Sequence, residues 1–327
     1  MTAIPHSTEH SVDVAAAPGT VFDIIADVTR WPHFFGPTVH AEVVERTEPD
    51  ADGVRTEVIK LWATANGAVK HWTSRRTLDA ANHRVTFAQQ VSQHPIAAMS
   101  GAWLAEPLAG GGSRVVLTHE FRAIGDAPEN VDWITSAIDR NSEAELTALK
   151  VAAEVVGNRP ELVFSFTDTV SIDGPRSAVY DFLYQAALWP ERVPHVTRLE
   201  MAEDVPNLQA MEMDTRTPAG DVHTTKSIRV CFPESLIVYK QTKVPALMTA
   251  HTGYWQLTER EDGGVDATSQ HLVVLNPDTI TTVLGEGATV STATEFIRSA
   301  LSKNSTTTLR YAKEFAETAA RSVAVAD

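Results

Sequence analysis

Two short runs carry side chains whose types and spacing could do chemistry. Strand alternation puts Trp72, Ser74 and Arg76 on one face of the first, and Thr225, Ser227 and Arg229 on one face of the second. A guanidinium stays protonated, so it can donate to a developing oxyanion but cannot act as a base. His119, in the run 115–121, could supply the base, because an imidazole titrates near neutral pH. Plainer readings fit the same residues. A strand arginine can pair with a surface carboxylate, and a strand histidine can be satisfied by a backbone carbonyl. Arg75, on the opposite face, keeps that plainer reading. The one cysteine, Cys231, sits in an apolar strand-like run and reads as a small buried hydrophobe.

These residues need elements to position them, and an internal repeat supplies the outline. Residues 12–37 and 170–194 share an alternating segment, a proline, an amphipathic helix and then Trp-Pro (Trp31-Pro32 and Trp189-Pro190). The match continues between 66–78 and 219–232, each with Ser-x-Arg, and between 99–112 and 248–264, each with a Trp before a Gly-rich turn. Residues 138–149 and 301–311 also correspond. The repeat is of domain scale, with its joint near the Gly157-Asn158-Arg159-Pro160 run, giving domains 1–158 and 159–327. Each half reads as a first strand (10–15; 163–172), a helix (18–27; 175–186), a short helical stretch after Trp-Pro, several strands, and a long helix (131–156; 288–320). Turn signals fall at 50–53, 65–67, 80–83 and 110–113. Strands in one block with helices before and after predict an α+β fold with an antiparallel sheet. A curved sheet gripping one long helix would enclose an apolar cavity.

Composition narrows the function. The 327 residues carry a formal net charge of −15, which argues against a nucleic-acid partner. One cysteine allows no disulfide within the chain and no thiolate metal site. No apolar run reaches membrane-spanning length. Residues 1–10 lack a basic and an apolar region of the secretory kind, so the expectation is a cytoplasmic protein. No dinucleotide glycine motif, phosphate-binding lysine loop, HExxH or nucleophile elbow occurs, so no cofactor and no metal are expected. Asn304-Ser305-Thr306 matches a glycosylation sequon inside a helical pattern and reads as chance.

The strand–helix–Trp-Pro opening, the Trp-x-Ser-x-Arg strand, the Trp before a Gly-rich hairpin and the long last helix resemble the polyketide aromatase/cyclases of bacterial type II polyketide synthases. That family has the helix-grip fold of START and Bet v 1-like proteins. Two such units in one chain resemble its di-domain members. The resemblance implies two tandem helix-grip domains and a poly-β-ketone substrate carried on an acyl carrier protein, alongside other synthase components. It implies intramolecular aldol closure of the first ring (C7–C12) and dehydration to an aromatic ring, without a cofactor.

It also implies roles for residues. Arg76 and Arg229 would point into the cavities as catalytic donors, with Ser74 and Ser227 beside them. Independently of the resemblance, an unpaired buried cation carries a desolvation cost, so the fold is expected to tolerate removal of Arg76. Trp31, Trp72, Trp103, Trp189 and Trp255 would form flat walls against the substrate, though plain core packing fits Trp31, Trp103, Trp189 and Trp255 equally. The inward polar position of the next strand falls on His119 in the first half and Gln270 in the second. A tyrosine that lines the family pocket is replaced here by Thr38 and Val196. The Trp/Ser/Arg/His set is fuller in the first half, which is therefore expected to be the working one. The rivals are a START-like carrier of a hydrophobic ligand, which needs no inward arginine, and an interaction scaffold, whose sheet–helix interface would be packed solid.

Overall fold

The structure, a computed structural model, describes residues 5–65, 68–216, 220 and 222–324; part of the turn expected at 65–67 lies outside them. The chain divides into two compact units, Met1–Pro160 and Glu161–Asp327.

In the first unit β1 (His6–Val14) leads into α1 (Pro18–Ala26) and the short α2 (Trp31–Phe34). Six strands follow: β2 (Thr38–Arg46), β3 (Val54–Ala65), β4 (Ala68–Asp79), β5 (Arg84–Gln89), β6 (Ile96–Pro107) and β7 (Ser113–Ala123). The helix α3 (Pro128–Asn158) closes the unit. The second unit repeats this order. Its elements are β8 (Val163–Ile172), α4 (Arg176–Tyr184), α5 (Trp189–Arg192), β9 (Val196–Val205), β10 (Leu208–Arg216), β11 (Val222–Phe232), β12 (Leu236–Lys243), β13 (Met248–Glu259) and β14 (Val265–Leu275). A short α6 (Ile280–Leu284) precedes the closing helix α7 (Val290–Ala324). Each unit has one seven-stranded sheet, ordered β1-β7-β6-β5-β4-β3-β2 and β8-β14-β13-β12-β11-β10-β9. Both are antiparallel throughout. This is the α+β helix-grip architecture in two copies.

Local physics accounts for these elements. Burial along β1 alternates with period two, as a half-buried strand requires. α3 buries Ile134, Ile138, Ser142, Leu146, Leu149 and Ala153, a stripe at helical spacing turned to the sheet. The expected stretch after Trp-Pro begins at the tryptophan itself, because proline's fixed φ and missing N–H suit the first helical turn.

One ladder row matters for the site. In the first sheet Arg76 lies opposite Phe87, Phe87 opposite Gly101, and Gly101 opposite His119. In the second, Arg229 lies opposite Tyr239, Tyr239 opposite Gly253, and Gly253 opposite His271. The glycines allow the aromatic ring to lie across the sheet. A Cβ at Gly101 would meet Phe87 Cζ at 2.6 Å, and one at Gly253 would meet Tyr239 Oη at 2.4 Å.

This register corrects one expectation. The counterpart of His119 is His271, not Gln270. Along β14 burial alternates, with Ser269 and His271 buried and Gln270 on the other face of the sheet. A one-residue slip in a strand exchanges the two faces.

Candidate functional site

In the first unit a cavity of about 460 Å³ lies between the sheet and α3. β4 contributes Trp72, Ser74 and Arg76; β5 and β6 contribute Phe87 and Trp103; β7 contributes His119; α2 contributes Trp31. From α3 come Ile138, Ser142 and Glu145, and Trp133, about half exposed, lies at its edge. The first-half residues singled out in the sequence, Trp31, Trp72, Ser74, Arg76, Trp103 and His119, therefore meet around one space. Arg229, Ser227, Trp189, Trp255 and Gln270 belong to the second unit and do not line this cavity.

Arg76 is fixed in the wall. Its Nε donates to Glu57 Oε1 at 3.1 Å, and Nη2 donates to the same oxygen. Nη1 donates to Ile25 O at 2.8 Å and Nη2 to Ala26 O at 2.6 Å. Those carbonyls end α1 and have no intrahelical donors, and the negative end of the helix dipole favours a cation there. The guanidinium also sits 5.4 Å from the Trp31 ring centre, and the Trp31 indole N–H donates to Ile24 O at 3.1 Å. A guanidinium has five N–H groups; the four bonds above leave one Nη1 hydrogen over, on a side chain that lines the cavity. Burial lowers the Arg76 pKa and Glu57 opposes that shift.

The unpaired cation of the sequence reading is thus corrected: Arg76 is paired, and its partner is buried with it. Glu57 is itself held through Oε2 by Arg46 Nη2 at 3.0 Å. The signal for Glu57 was present. It alternates in phase with Ile59 and Leu61, so a carboxylate stands on the apolar face of β3.

Glu145 was also missed. It occupies the stripe of Ile138, Ser142 and Leu149 at steps of three and four, an acid on the apolar face of a helix. Burial pushes its carboxyl up to about 7. His119 moves the other way. Burial, with His10 nearby, lowers its pKa to about 4, so the imidazole is neutral at neutral pH. The Phe87 ring meets it edge-on with centroids 5.5 Å apart. Among the described residues, His119 Nδ1 and Ser142 Oγ are buried without hydrogen-bond partners. Chemically the site offers aromatic walls, one fixed N–H donor, a neutral imidazole and a carboxyl able to gain or lose a proton near neutrality. No group of three or more His, Cys, Asp or Glu suited to a metal ion occurs among the described residues.

The second unit keeps the frame and changes the chemistry. Arg229 is buried, with Nη2 donating to Leu183 O at 2.6 Å and Trp189 5.7 Å away. Its Nε and Nη1 have no partner among the described residues. Opposite it stands Gln209 where the first unit has Glu57. Trp189 and Trp255 pack in the core, and the Trp189 indole N–H donates to Phe182 O at 3.0 Å. Ser227 is half-buried on β11, between Met211 and Gln241. Burial pushes the Cys231 thiol up to about 11, the behaviour of an inert core cysteine. Ser305, within the sequon, is buried in α7 and bonds back to Leu301 O.

Residues 5–154 match the family model described as "Polyketide cyclase / dehydrase and lipid transport". The granaticin polyketide synthase bifunctional cyclase/dehydratase of Streptomyces violaceoruber is 43% identical over 315 residues, 96% of this chain and 95% of that protein. The actinorhodin polyketide synthase bifunctional cyclase/dehydratase of Streptomyces coelicolor is 40% identical over 317 residues, 94% and 96% of the two chains. The crystal structure of the di-domain ARO/CYC BexL from the BE-7585A biosynthetic pathway superposes with a TM-score of 0.88 at 51% identity, covering 95% of this chain and 99% of that one. StfQ, a di-domain ARO/CYC from the steffimycin pathway, gives 0.83 at 36% identity over 96% and 99%. With this likeness running through both units, the chain belongs to the di-domain polyketide cyclase/dehydratase family of enzymes.

Proposed function

We propose that the protein is the bifunctional cyclase/dehydratase of a type II polyketide synthase, closing the first ring (C7–C12) of a poly-β-ketone held on an acyl carrier protein and removing water from it. The observation that carries this reading is the first-unit cavity, where Arg76, His119 and Glu145 converge between aromatic walls. The inward arginine disfavours a simple hydrophobic carrier, and the open space disfavours a solid scaffold.

The Glu145 carboxylate takes a proton from a methylene between two ketones. The resulting enolate attacks a second carbonyl of the same chain, and the alkoxide that forms is met by the free Arg76 N–H. His119, uncharged, accepts or donates a hydrogen bond at a substrate oxygen. In this division of labour Glu145 takes over the role of base that the sequence suggested for His119. A base works best with a pKa near the working pH, and burial moves the two groups to opposite sides of that condition. Trp31, Trp72 and Trp103 hold the flexible chain in one folded geometry. Orientation is the larger contribution, since a free poly-β-ketone has many competing aldol closures.

The test is product analysis in a reconstituted minimal synthase with the wild type and Glu145→Gln, which keeps size and removes proton transfer. Loss of general base catalysis is expected to slow correct closure by roughly 10²–10⁴ and shift carbon into shunt products. An unchanged product ratio in the folded variant refutes the assignment.

A further inference from the structure

The open end of the first-unit cavity has a chemistry distinct from that of its interior. β4 marks the depth of the space. Lys70 is exposed, Trp72 half-buried, and Ser74 and Arg76 buried, while Leu78 belongs to the closed core. The exposed lining residues define the rim. Lys70 stands on it from β4, Val91, Gln93 and His94 from the β5–β6 connection, and Trp133 and Arg140 from α3. Trp133 and Arg140 are seven residues apart, two helical turns along one face.

Lys70 and Arg140 have no hydrogen bond or ion pair among the described residues, whereas Arg46, Arg114 and Lys150 of the same unit are held by carboxylates. The acid that lines this cavity is Glu145, five residues or about 7.5 Å further along α3 than Arg140. Burial pushes its carboxyl up to about 7, so it is only partly ionised at neutral pH. A chain of net charge −15 thus keeps two unpaired cations at the entrance to its cavity. Trp133 and Val91, 48% and 71% exposed, add apolar surface to the same rim. Cations and apolar surface together suit a ligand whose anionic group is joined to a branched aliphatic stem. The phosphopantetheine arm of an acyl carrier has that composition: a phosphodiester, a gem-dimethyl carbon, then two amides and the thioester.

We propose that Lys70 and Arg140 hold the phosphodiester of an acyl carrier's phosphopantetheine arm at the rim of the first-unit cavity. This rests on the cyclase/dehydratase reading above and adds the point at which the carrier is anchored. Arginine can meet two phosphate oxygens at once, and lysine adds a point charge. Trp133 and Val91 cover the gem-dimethyl carbon. The lengths agree with this placement. From Lys70 to Arg76, β4 runs six residues, about 20 Å. The arm from phosphorus to sulfur measures about 16 Å when extended, at ~1.2 Å per chain bond. A phosphate held at the rim therefore stops the thioester short of Arg76 and leaves the deep end, with Arg76, His119 and Glu145, to the ketide chain. Fixing the thioester end limits which carbons reach those groups, so the anchor contributes to the choice of ring through orientation.

The experiment measures binding of the full-length chain to the acyl carrier protein of a minimal synthase by calorimetry, at low and at high salt. The carrier is used in its holo form and in the apo form that lacks the arm. The variants are Lys70→Ala, Arg140→Ala and the double variant, with folding checked by melting; glutamine replaces alanine at either place should the alanine variant not fold. Arg75→Ala, which removes an exposed cation from the other face of β4, is the control. The wild type is expected to bind the holo carrier more tightly than the apo carrier. Each single variant should weaken holo binding about two- to fivefold and the double about tenfold, with apo binding unchanged. Added salt should narrow the gap between the wild type and the double variant. In ring closure the double variant should raise the KM for the loaded carrier and keep kcat. Unchanged holo binding in the double variant overturns the anchor. So does an equal loss for holo and apo carriers, which would mean contact with the carrier's own surface, or an equal loss in Arg75→Ala, which would mean net charge alone. A wild type that binds the holo carrier no more tightly than the apo form overturns it as well. A wild-type protein that leaves the synthase's product mixture unchanged removes the cyclase reading itself, an outcome distinct from correct closure with rim variants that bind normally, which removes the anchor alone.

Discussion

Arg76 does two jobs that are hard to separate by deleting it. It neutralises a carboxylate with no exposed side-chain surface, and it closes the carbonyl end of α1. Arg76→Ala leaves Glu57 buried with only Arg46 and strands two helix carbonyls. Breaking a buried ion pair from one side costs about 3–5 kcal/mol, so the variant is expected to melt well below the wild type. The double variant Arg76→Met/Glu57→Leu removes both charges and should regain much of that stability, because well-packed apolar residues often replace a buried pair without loss. It should not regain correct cyclisation, since the free N–H is gone. Melting temperatures and product ratios for the three proteins separate the roles. If Arg76→Ala melts like the wild type, the pair is not structurally important.

At the scale of elements, the frame was readable and the partners were not. Period-two strands, helical stripes and Trp-Pro starts located the sheets and long helices, because each is a local pattern. The row Arg76–Phe87–Gly101–His119 needs cross-strand register, which one strand's sequence does not contain; hence the slip that put Gln270 where His271 stands. Glu57 and Glu145 were legible in principle as charges in phase with an apolar face, but a local pattern does not say what meets them across the core. The aromatic over glycine was invisible for the same reason. It makes a prediction of its own. In Gly101→Ala the new methyl group meets Thr118 O at 2.1 Å and Phe87 Cζ at 2.6 Å. Neither a strand carbonyl nor a packed ring can yield freely, so a loss of at least about 1–3 kcal/mol is expected from overpacking. The displaced Phe87 should also release His119 into a broader range of orientations. A melting temperature within experimental error of the wild type would show that the row tolerates a side chain there.

For the molecule as a whole, buried ionisable groups set the pH range in which it holds together. Burial lowers His40, His119 and His271 to about 4 and lowers His251 well below its ordinary value. The unfolded chain, with histidines near 6.5, therefore binds more protons than the folded one between about 6.5 and 4. Stability from these groups is fully present above the unfolded value and is lost as pH falls through that window. Glu145 opposes them. Its folded pKa of about 7 lies above its unfolded value of 4.5, so the folded state binds the extra proton, and acidification from 7 to 4.5 favours folding through this one group. The histidines outnumber it and belong to both units, so the melting temperature should fall as pH drops from 6.5 towards 4. Glu145→Gln removes the opposing contribution without touching the histidines, and its melting temperature should fall more steeply over the same interval. Parallel slopes for the two proteins would mean that Glu145 ionises in the folded state as it does in water, and would weaken its assignment as the base.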